Sequence, residues 1–237
     1  MSQDLRVILW DIDGTLVRSR RSGFFKDYMT PVLLRVFGTA GRLGEMAVSG
    51  MTDLQIASEA LRDEGFTAEQ VRGRAPELVP LYLEELERLT RAEEIFYALP
   101  GARESLEALE REPRYLNSLL TGNVEPAARL KLRLVGLSDF FHAPGAFGDD
   151  SHDRRELPAL AAARINHQLG VQFAPAQFIV IGDTPNDIAC ARHFGARAVA
   201  VATGRSYTAA ALRPHSPDAL LPDLTDTGLL LNTLAAL

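Results

Sequence analysis

Short apolar runs recur along the chain, and several of them end abruptly in a polar cluster. Three such runs occupy residues 7–10, 115–120 and 178–181. Mainly apolar runs of about four to six residues, bounded by turn-forming residues, are typical of strands buried in a parallel sheet. A further run at 198–202 shows the same pattern, and a shorter one lies near Leu220. The pattern therefore predicts a parallel sheet of several short strands.

Helical patterns fill the intervals between these predicted strands. Beyond residue 98, helices are predicted over residues 102–110, 126–135, 154–169 and 185–194 and near the carboxyl end. One more short strand is predicted within residues 140–147. Strands that alternate with helices form parallel sheets with right-handed crossovers. This part of the chain is therefore predicted to be an α/β domain.

The region from residue 18 to residue 97 has a different pattern, with many helical runs and few strand-like ones. Thr52 is followed three residues later by glutamine, the capping-box spacing that marks the start of a helix. A charged, leucine-rich helix is predicted from about 77 to 94. We therefore predict a core formed by residues 1–17 and 98–237, with residues 18–97 inserted as a helical unit.

Polar clusters follow three of the predicted strands. Asp11 and Asp13 follow the first, Thr121-Gly122-Asn123 the second, and Asp183 and Asp187 the third. The carboxyl ends of parallel strands lie along one edge of the sheet, so these clusters should converge there. Aspartates without histidine or cysteine suit a hard cation, Mg²⁺ before Zn²⁺. The hydroxyl of Thr121 and the backbone N–H groups that follow it suit an anion at a helix start.

Composition narrows the class of protein without changing this picture. The 237 residues include 46% apolar residues and carry a net charge of −6, which argues against nucleic acid as a partner. No apolar run is long enough for a membrane span, and no signal peptide is recognised. A single cysteine, Cys190, allows no internal disulfide. We expect a cytoplasmic monomer or homodimer.

The three motifs together resemble those of a known family. Asp-Ile-Asp-Gly-Thr-Leu-Val, Thr-Gly-Asn and Gly-Asp-Thr-Pro-Asn-Asp, in this order and spacing, resemble the haloacid dehalogenase (HAD) superfamily. The resemblance implies an α/β fold with a Rossmann-like parallel sheet core and a small all-helical cap inserted after the first strand. Pro100-Gly101, just before a predicted helix, is similar to phosphoglycolate phosphatase-like members.

The resemblance also implies a role for each motif residue. Asp11 would attack phosphorus and form an aspartyl-phosphate, and Asp13 would protonate the leaving oxygen and later activate water. Mg²⁺ would be held by Asp11, the backbone carbonyl of Asp13 and Asp183, with Asp187 as a further ligand or a supporting partner. Thr121 would hydrogen-bond the phosphoryl group.

One further family element is a basic residue, usually lysine, and no lysine lies in the expected region. Counting back from Gly170, the glycine that closes the helix before the last motif, places this cation near residues 154–156, where the chain carries Arg154 and Arg155. Arg154 directly follows a polar loop and is favoured over Arg155. Arginine can bind a phosphoryl group through two N–H groups, so the replacement is chemically reasonable.

The remaining predicted contacts concern the substrate. Gly122, Asn123 and Thr52 are predicted substrate-binding residues, although Thr52 also has the spacing of a helix cap. Specificity is expected to come from the cap, since a cap closes over the strand ends and excludes water. The cap candidates are Arg18, Arg20, Lys26 and the loop of residues 49–53.

These residues predict an Mg²⁺-dependent phosphomonoester hydrolase for a small phosphorylated metabolite, similar to phosphoglycolate phosphatases. A 2-haloacid dehalogenase is disfavoured because a halide leaving group needs no proton, whereas Asp13 is present. A phosphonate hydrolase would need a cap lysine, and Lys26 is the sole candidate. A β-phosphoglucomutase-like phosphotransferase is harder to exclude, although Asp53 stands where such enzymes carry a basic residue. A non-catalytic binding protein with the same fold is the alternative from a different class.

Overall fold

The described chain consists of a parallel sheet with its connecting helices and of a second group of helices inserted after the first strand. The structure is a computed structural model, and it describes residues 5–237. The strands are β1 (Arg6–Trp10), β2 (Val17–Ser19), β3 (Phe96–Ala98), β4 (Tyr115–Leu119), β5 (Phe178–Gly182), β6 (Arg197–Val201) and β7 (Ala219–Leu221). The α-helices are α1 (Phe24–Phe37), α2 (Asp53–Leu61), α3 (Ala68–Gly73), α4 (Ala75–Ala92), α5 (Ala102–Glu110), α6 (Glu125–Leu134), α7 (Leu157–Leu169), α8 (Pro185–Phe194), α9 (Ala209–Leu212) and α10 (Thr227–Ala236).

The central sheet has five parallel strands in the order β4-β1-β5-β6-β7. Side chains of β1 point alternately to its two faces, so Ile8 and Trp10 pack into one apolar cluster and Val7 and Leu9 into the other. All four are fully buried. A strand covered on both faces needs apolar residues at every position, which explains the uninterrupted run in the sequence. The predicted α/β class and parallel sheet are therefore observed.

The insert joins the core through a two-stranded antiparallel ribbon. Strand β2 pairs with β3, with Val17 opposite Ala98, and helices α1 to α4 lie between these strands in the chain. Tyr28 of α1 and Tyr82 of α4 are buried edge to face, with ring centroids 4.9 Å apart. The ribbon spans residues 17–19 and 96–98, close to the junctions predicted from the sequence.

Two local predictions differ from the structure. The strand predicted within residues 140–147 is absent, and this segment makes a single isolated bridge, between Leu120 and Ala146. Pro144 has no N–H to donate and Gly145 has no side chain to pack, so a longer ladder is disfavoured there. The helix predicted from residue 154 begins instead as a 3₁₀ turn, Arg154–Glu156, and α7 follows with Pro158 in its first turn.

No helix within residues 5–237 is both long enough and apolar enough to cross a membrane.

Candidate active site

The polar clusters meet where the central strands end. Asp11 follows β1, and its backbone N–H donates to the carbonyl of Ile181 in β5 at 2.9 Å. Asp183 directly follows β5. Gly14 turns the chain back beside this aspartate with a φ of 92°, and any Cβ at this position would lie 2.4 Å from Oδ2 of Asp183. A glycine is therefore required both by the backbone conformation and by the close approach.

Three carboxylates converge at this edge. Asp11, Asp183 and Asp187 each offer an oxygen, and these oxygens all lie within 4.8 Å of one another. All three residues are buried. A group of closely spaced carboxylate oxygens fits Mg²⁺ better than a softer metal. The side chain of Asp13 is not part of this group, which is compatible with a contribution from its backbone carbonyl alone.

Arg154 is the cation that lies against these carboxylates. Its Nη2 donates to Oδ1 of Asp11 at 2.8 Å and to Oδ1 of Asp187 at 2.5 Å, and the arginine is itself buried. Arg155 points elsewhere, because its exposed guanidinium is paired with Asp153. Of the two arginines proposed from the sequence, the structure brings only Arg154 to the site.

Asp187 is fixed from two sides. Its Oδ2 accepts from the backbone N–H and the hydroxyl of Thr184 at 2.9 and 2.6 Å, and this contact forms the capping box at the start of α8. The other oxygen, Oδ1, accepts from Arg154. Asp187 thus positions Arg154 as well as contributing charge, which suits either of the two roles considered for it.

Negative charge exceeds positive charge in this buried group. Burial raises the pKa of Asp11 to about 7, although the guanidinium of Arg154 opposes the shift. Burial also raises the pKa of Asp183 well above its ordinary value, and the charges of Asp11 and Asp187 add to this increase. A divalent cation would supply the charge that one arginine does not provide, so the residues present fit Mg²⁺.

The metal-free protein should lose stability as the pH rises. The pKa of Asp11 is about 7 in the folded protein, whereas its ordinary value, taken for the unfolded chain, is 3.8. Between these two pH values the folded state binds more protons than the unfolded state, so it becomes less stable as the pH rises. We expect the free energy of unfolding to fall by roughly 2 kcal/mol or more between about pH 5 and about pH 8 without Mg²⁺. Urea unfolding at both pH values measures this change. Saturating Mg²⁺ and Asp11→Asn should each reduce this fall in the free energy of unfolding. An unchanged fall in both cases would contradict the prediction.

Lys131 is a site residue that the sequence analysis missed. It lies on α6 and is 3% exposed, and its Nζ donates to Oδ2 of Asp13 at 2.7 Å and to Oδ1 of Asn123 at 2.5 Å. Burial alone would lower the pKa of Lys131, but the Asp13 carboxylate raises it above its ordinary value. One signal was available, because Lys131 continues the buried stripe of Ala127 and Ala128 at helical spacing.

Asn123 and Thr121 are arranged around Asp13. The side-chain amide of Asn123 donates to Oδ2 of Asp13 at 2.6 Å and to the hydroxyl oxygen of Thr121 at 2.8 Å. Thr121 is fully buried and lines the cavity described below. The predicted residues Thr121, Gly122 and Asn123 are therefore all at the site, but Asn123 is engaged with Asp13.

Thr52 and Gly122 belong to the contact between the insert and the core. The Thr52 hydroxyl accepts from the backbone N–H of Gln55, as a helix cap does, and donates to the carbonyl of His152. Thr52 is fully buried and does not line the cavity, so the structure favours its capping interpretation over substrate binding. Gly122 lines the cavity and accepts a hydrogen bond at its carbonyl oxygen from the backbone N–H of Asp53.

Further contacts hold the insert against the core. Oδ2 of Asp53 accepts from the backbone N–H of Val124 at 2.9 Å, and Asn186 donates to the carbonyl of Gly50 at 2.8 Å. A cavity of about 380 Å³ lies between the two parts, and Asp11, Asp13 and Asp183 line it. This volume suits a small molecule and leaves the reacting groups at the base of a partly closed chamber.

The chain is similar to known proteins in sequence and in fold. The model of the haloacid dehalogenase-like hydrolase family matches residues 8–192. The phosphoglycolate phosphatase of Escherichia coli (strain K12) is 25% identical over 94% of this chain and 91% of its own length. A hydrolase structure from Pseudomonas syringae has 25% identity and a TM-score of 0.67, covering 98% of this chain and 99% of that one. A putative β-phosphoglucomutase structure from Thermotoga maritima, 18% identical, has a TM-score of 0.60 over 96% and 99% of the two chains.

Proposed function

Because the chain belongs to the haloacid dehalogenase-like hydrolase family, we propose that it hydrolyses phosphate monoesters of small metabolites with the help of Mg²⁺. The observation that carries the proposal is the pair Asp11 and Asp13, which are held in different environments. Asp11 lies buried among the carboxylates and Arg154, whereas the Asp13 side chain is 44% exposed and lines the cavity. The phosphoglycolate phosphatases among the relatives support the same substrate class.

In the first step of the proposed reaction, Asp11 attacks the phosphorus atom. Its Oδ1 is bound to Arg154, and within the described chain Oδ2 has no hydrogen-bond partner, so it is free to form the new bond. As the bond between phosphorus and the ester oxygen breaks, Asp13 donates a proton to that oxygen. The leaving group departs as an alcohol, and the phosphoryl group remains on Asp11.

In the second step, water attacks the phosphorus atom and gives its proton to Asp13. Inorganic phosphate leaves, and the Asp11 carboxylate is regenerated. Arg154 and the Thr121 hydroxyl are placed to stabilise charge on the transferring group. Mg²⁺, held by Asp11, Asp183 and the Asp13 carbonyl with support from Asp187, would neutralise phosphoryl charge when bound.

The environment of Asp53 bears on the phosphoglucomutase alternative. The sequence places Asp53 where such enzymes carry a basic residue, and its carboxylate is buried against the backbone of Val124. Burial raises the pKa of Asp53 to about 6. The chain therefore has no cation at the position where phosphoglucomutases carry one, which favours hydrolysis over transfer between sugar positions.

Assaying a panel of phosphate monoesters for phosphate release tests the proposal. We expect turnover of at least one small ester with Mg²⁺, a loss of at least about 100-fold in EDTA, and recovery when Mg²⁺ is restored. The absence of phosphate release from every ester, with Mg²⁺ binding intact, would contradict a phosphatase. Formation of an isomeric phosphate ester that needs a bisphosphate activator would indicate the mutase instead.

A further inference from the structure

Arg18 differs from the other cations that line the cavity. It lies on β2, seven residues after Asp11, and its side chain makes no hydrogen bond or ion pair within the described part of the chain. Its Nε is buried and has no partner. The Nε of Arg154 is likewise without a partner, but the Nη2 of Arg154 is paired with two carboxylates, and Lys131 is paired with Asp13.

The two other basic residues of the lining also have partners. Lys26 donates to the carbonyl of Gly44 at 2.7 Å, and Arg205 donates to the carbonyl of Ser19 at 3.0 Å. A buried guanidinium N–H that lacks an acceptor costs free energy, so such a group is expected to find one in the working state of the protein. The acceptor that the cavity can supply is a bound molecule.

We propose that Arg18 binds a second anionic group of the substrate, a carboxylate or a phosphate, while the first phosphoryl group lies at Asp11. This inference rests on the proposed phosphomonoesterase function and narrows its substrate class. The chain turns sharply at Gly14 between β1 and β2, so Arg18 and the nucleophile line the same cavity. Arginine suits this task because its planar fork of N–H donors matches a carboxylate or phosphate and stays charged.

The position of Arg18 also explains how one anion could be distinguished from the other. The transferring phosphoryl group would be held by Arg154 and Thr121, both at the base of the cavity. Arg18 belongs instead to the ribbon that joins the insert to the core. A substrate with a single phosphate would be bound only by Arg154 and Thr121, and the Nε of Arg18 would remain without an acceptor.

Equilibrium binding to an Asp11→Asn background tests the inference without requiring turnover. The probes are phosphoglycolate, ethylene glycol bisphosphate and 2-hydroxyethyl phosphate, titrated calorimetrically with saturating Mg²⁺. The first two carry a second anion and the third replaces it with a hydroxyl. We expect one of the two probes with a second anionic group to bind about 10–100-fold more tightly than 2-hydroxyethyl phosphate, and which one does so separates carboxylate from phosphate recognition.

Arg18→Met should remove most of this preference and leave the affinity for 2-hydroxyethyl phosphate within about twofold. Arg18→Gln is a second variant that retains a polar side chain, and circular dichroism verifies folding of both. Arg20→Met is the matched control, because Arg20 is exposed, is paired with Glu94 and does not line the cavity. A preference that persists in both folded Arg18 variants, or none with Arg18 present, would overturn the inference. Failure of the phosphatase proposal would show separately, as absence of phosphate release by the unmodified protein.

Discussion

Asp11→Asn is expected to lower kcat for phosphate ester hydrolysis by at least about 10³-fold, because it removes the oxygen nucleophile while keeping the side-chain shape. The amide oxygen can still accept from Arg154, so the contact at Oδ1 need not be lost. Steady-state phosphate release with saturating Mg²⁺ measures the effect. The substrate should still bind, since Arg154 and Thr121 remain in place.

A measurement of stability distinguishes loss of the nucleophile from simple damage to the fold. Asp11 is one of three buried carboxylates, and Arg154 is paired with only two of them, Asp11 and Asp187, so removing the charge of Asp11 relieves repulsion. The free energy of unfolding of Asp11→Asn should therefore equal or exceed that of the unmodified protein at neutral pH without metal. Asp63→Asn, at an exposed position on the insert, is the control and should leave kcat unchanged. A kcat for Asp11→Asn within tenfold of normal would show that Asp11 is not the nucleophile.

Three of the residues that the sequence predicted for the site share one property: each directly follows an apolar run. Asp11, Thr121 and Asp183 all stand at the carboxyl ends of strands that are neighbours in the sheet. Parallel topology alone brings such positions to one edge, whatever the packing of the helices. The convergence of the three motifs could therefore be predicted before any side-chain geometry was known.

Other features of the site could not be predicted, because they depend on how helices and strands pack against one another. Lys131 reaches Asp13 because α6 turns one face toward the core, and no motif marks that face. The sequence favoured Arg154 over Arg155, in agreement with the structure, but the 3₁₀ turn of residues 154–156, whose pitch sets which side chain points inward, was not predicted. The sequence allowed Thr52 to be either a substrate-binding residue or the N-cap of a helix. Its hydrogen bonds to Gln55 and His152 favour the N-cap. Sequence spacing can show that such a side chain is buried, but it does not show which side chain of another element it meets.

Lys131→Met is expected to impair both stability and turnover. The substitution leaves Asp13 without its ion pair and Asn123 without the donor that holds its amide oxygen. Removing one member of a buried pair costs several kcal/mol, but Asp13 is 44% exposed and can regain water. We therefore expect a loss of about 2 kcal/mol in the free energy of unfolding, measured by urea denaturation.

The effect on turnover follows from the position of Asp13. Without Lys131, Asp13 is held by Asn123 alone and Asn123 is itself less fixed, so Asp13 is less restricted to the geometry in which it reaches the ester oxygen and kcat should fall about 10–100-fold. KM should change less, because the groups proposed to hold the phosphoryl group are untouched. Arg133→Met is the matched control, since Arg133 is a basic residue of the same helix, is exposed and does not line the cavity. Equal kcat values for the Lys131 and Arg133 variants would refute a role for Lys131 in positioning Asp13.

A double variant then separates lost charge from lost packing. Asp53 is buried, and the positive charge of Lys131 acts to lower the pKa of its carboxyl against the effect of burial. If part of the instability of Lys131→Met comes from the uncompensated Asp53 carboxylate, Asp53→Asn should recover part of it, because the amide oxygen can still accept from Val124. The recovery should not extend to kcat, since Asp13 remains unpaired. Restored stability with persistently low kcat would therefore assign to Lys131 two separate effects, one on the contact between insert and core and one on the proton-transferring aspartate.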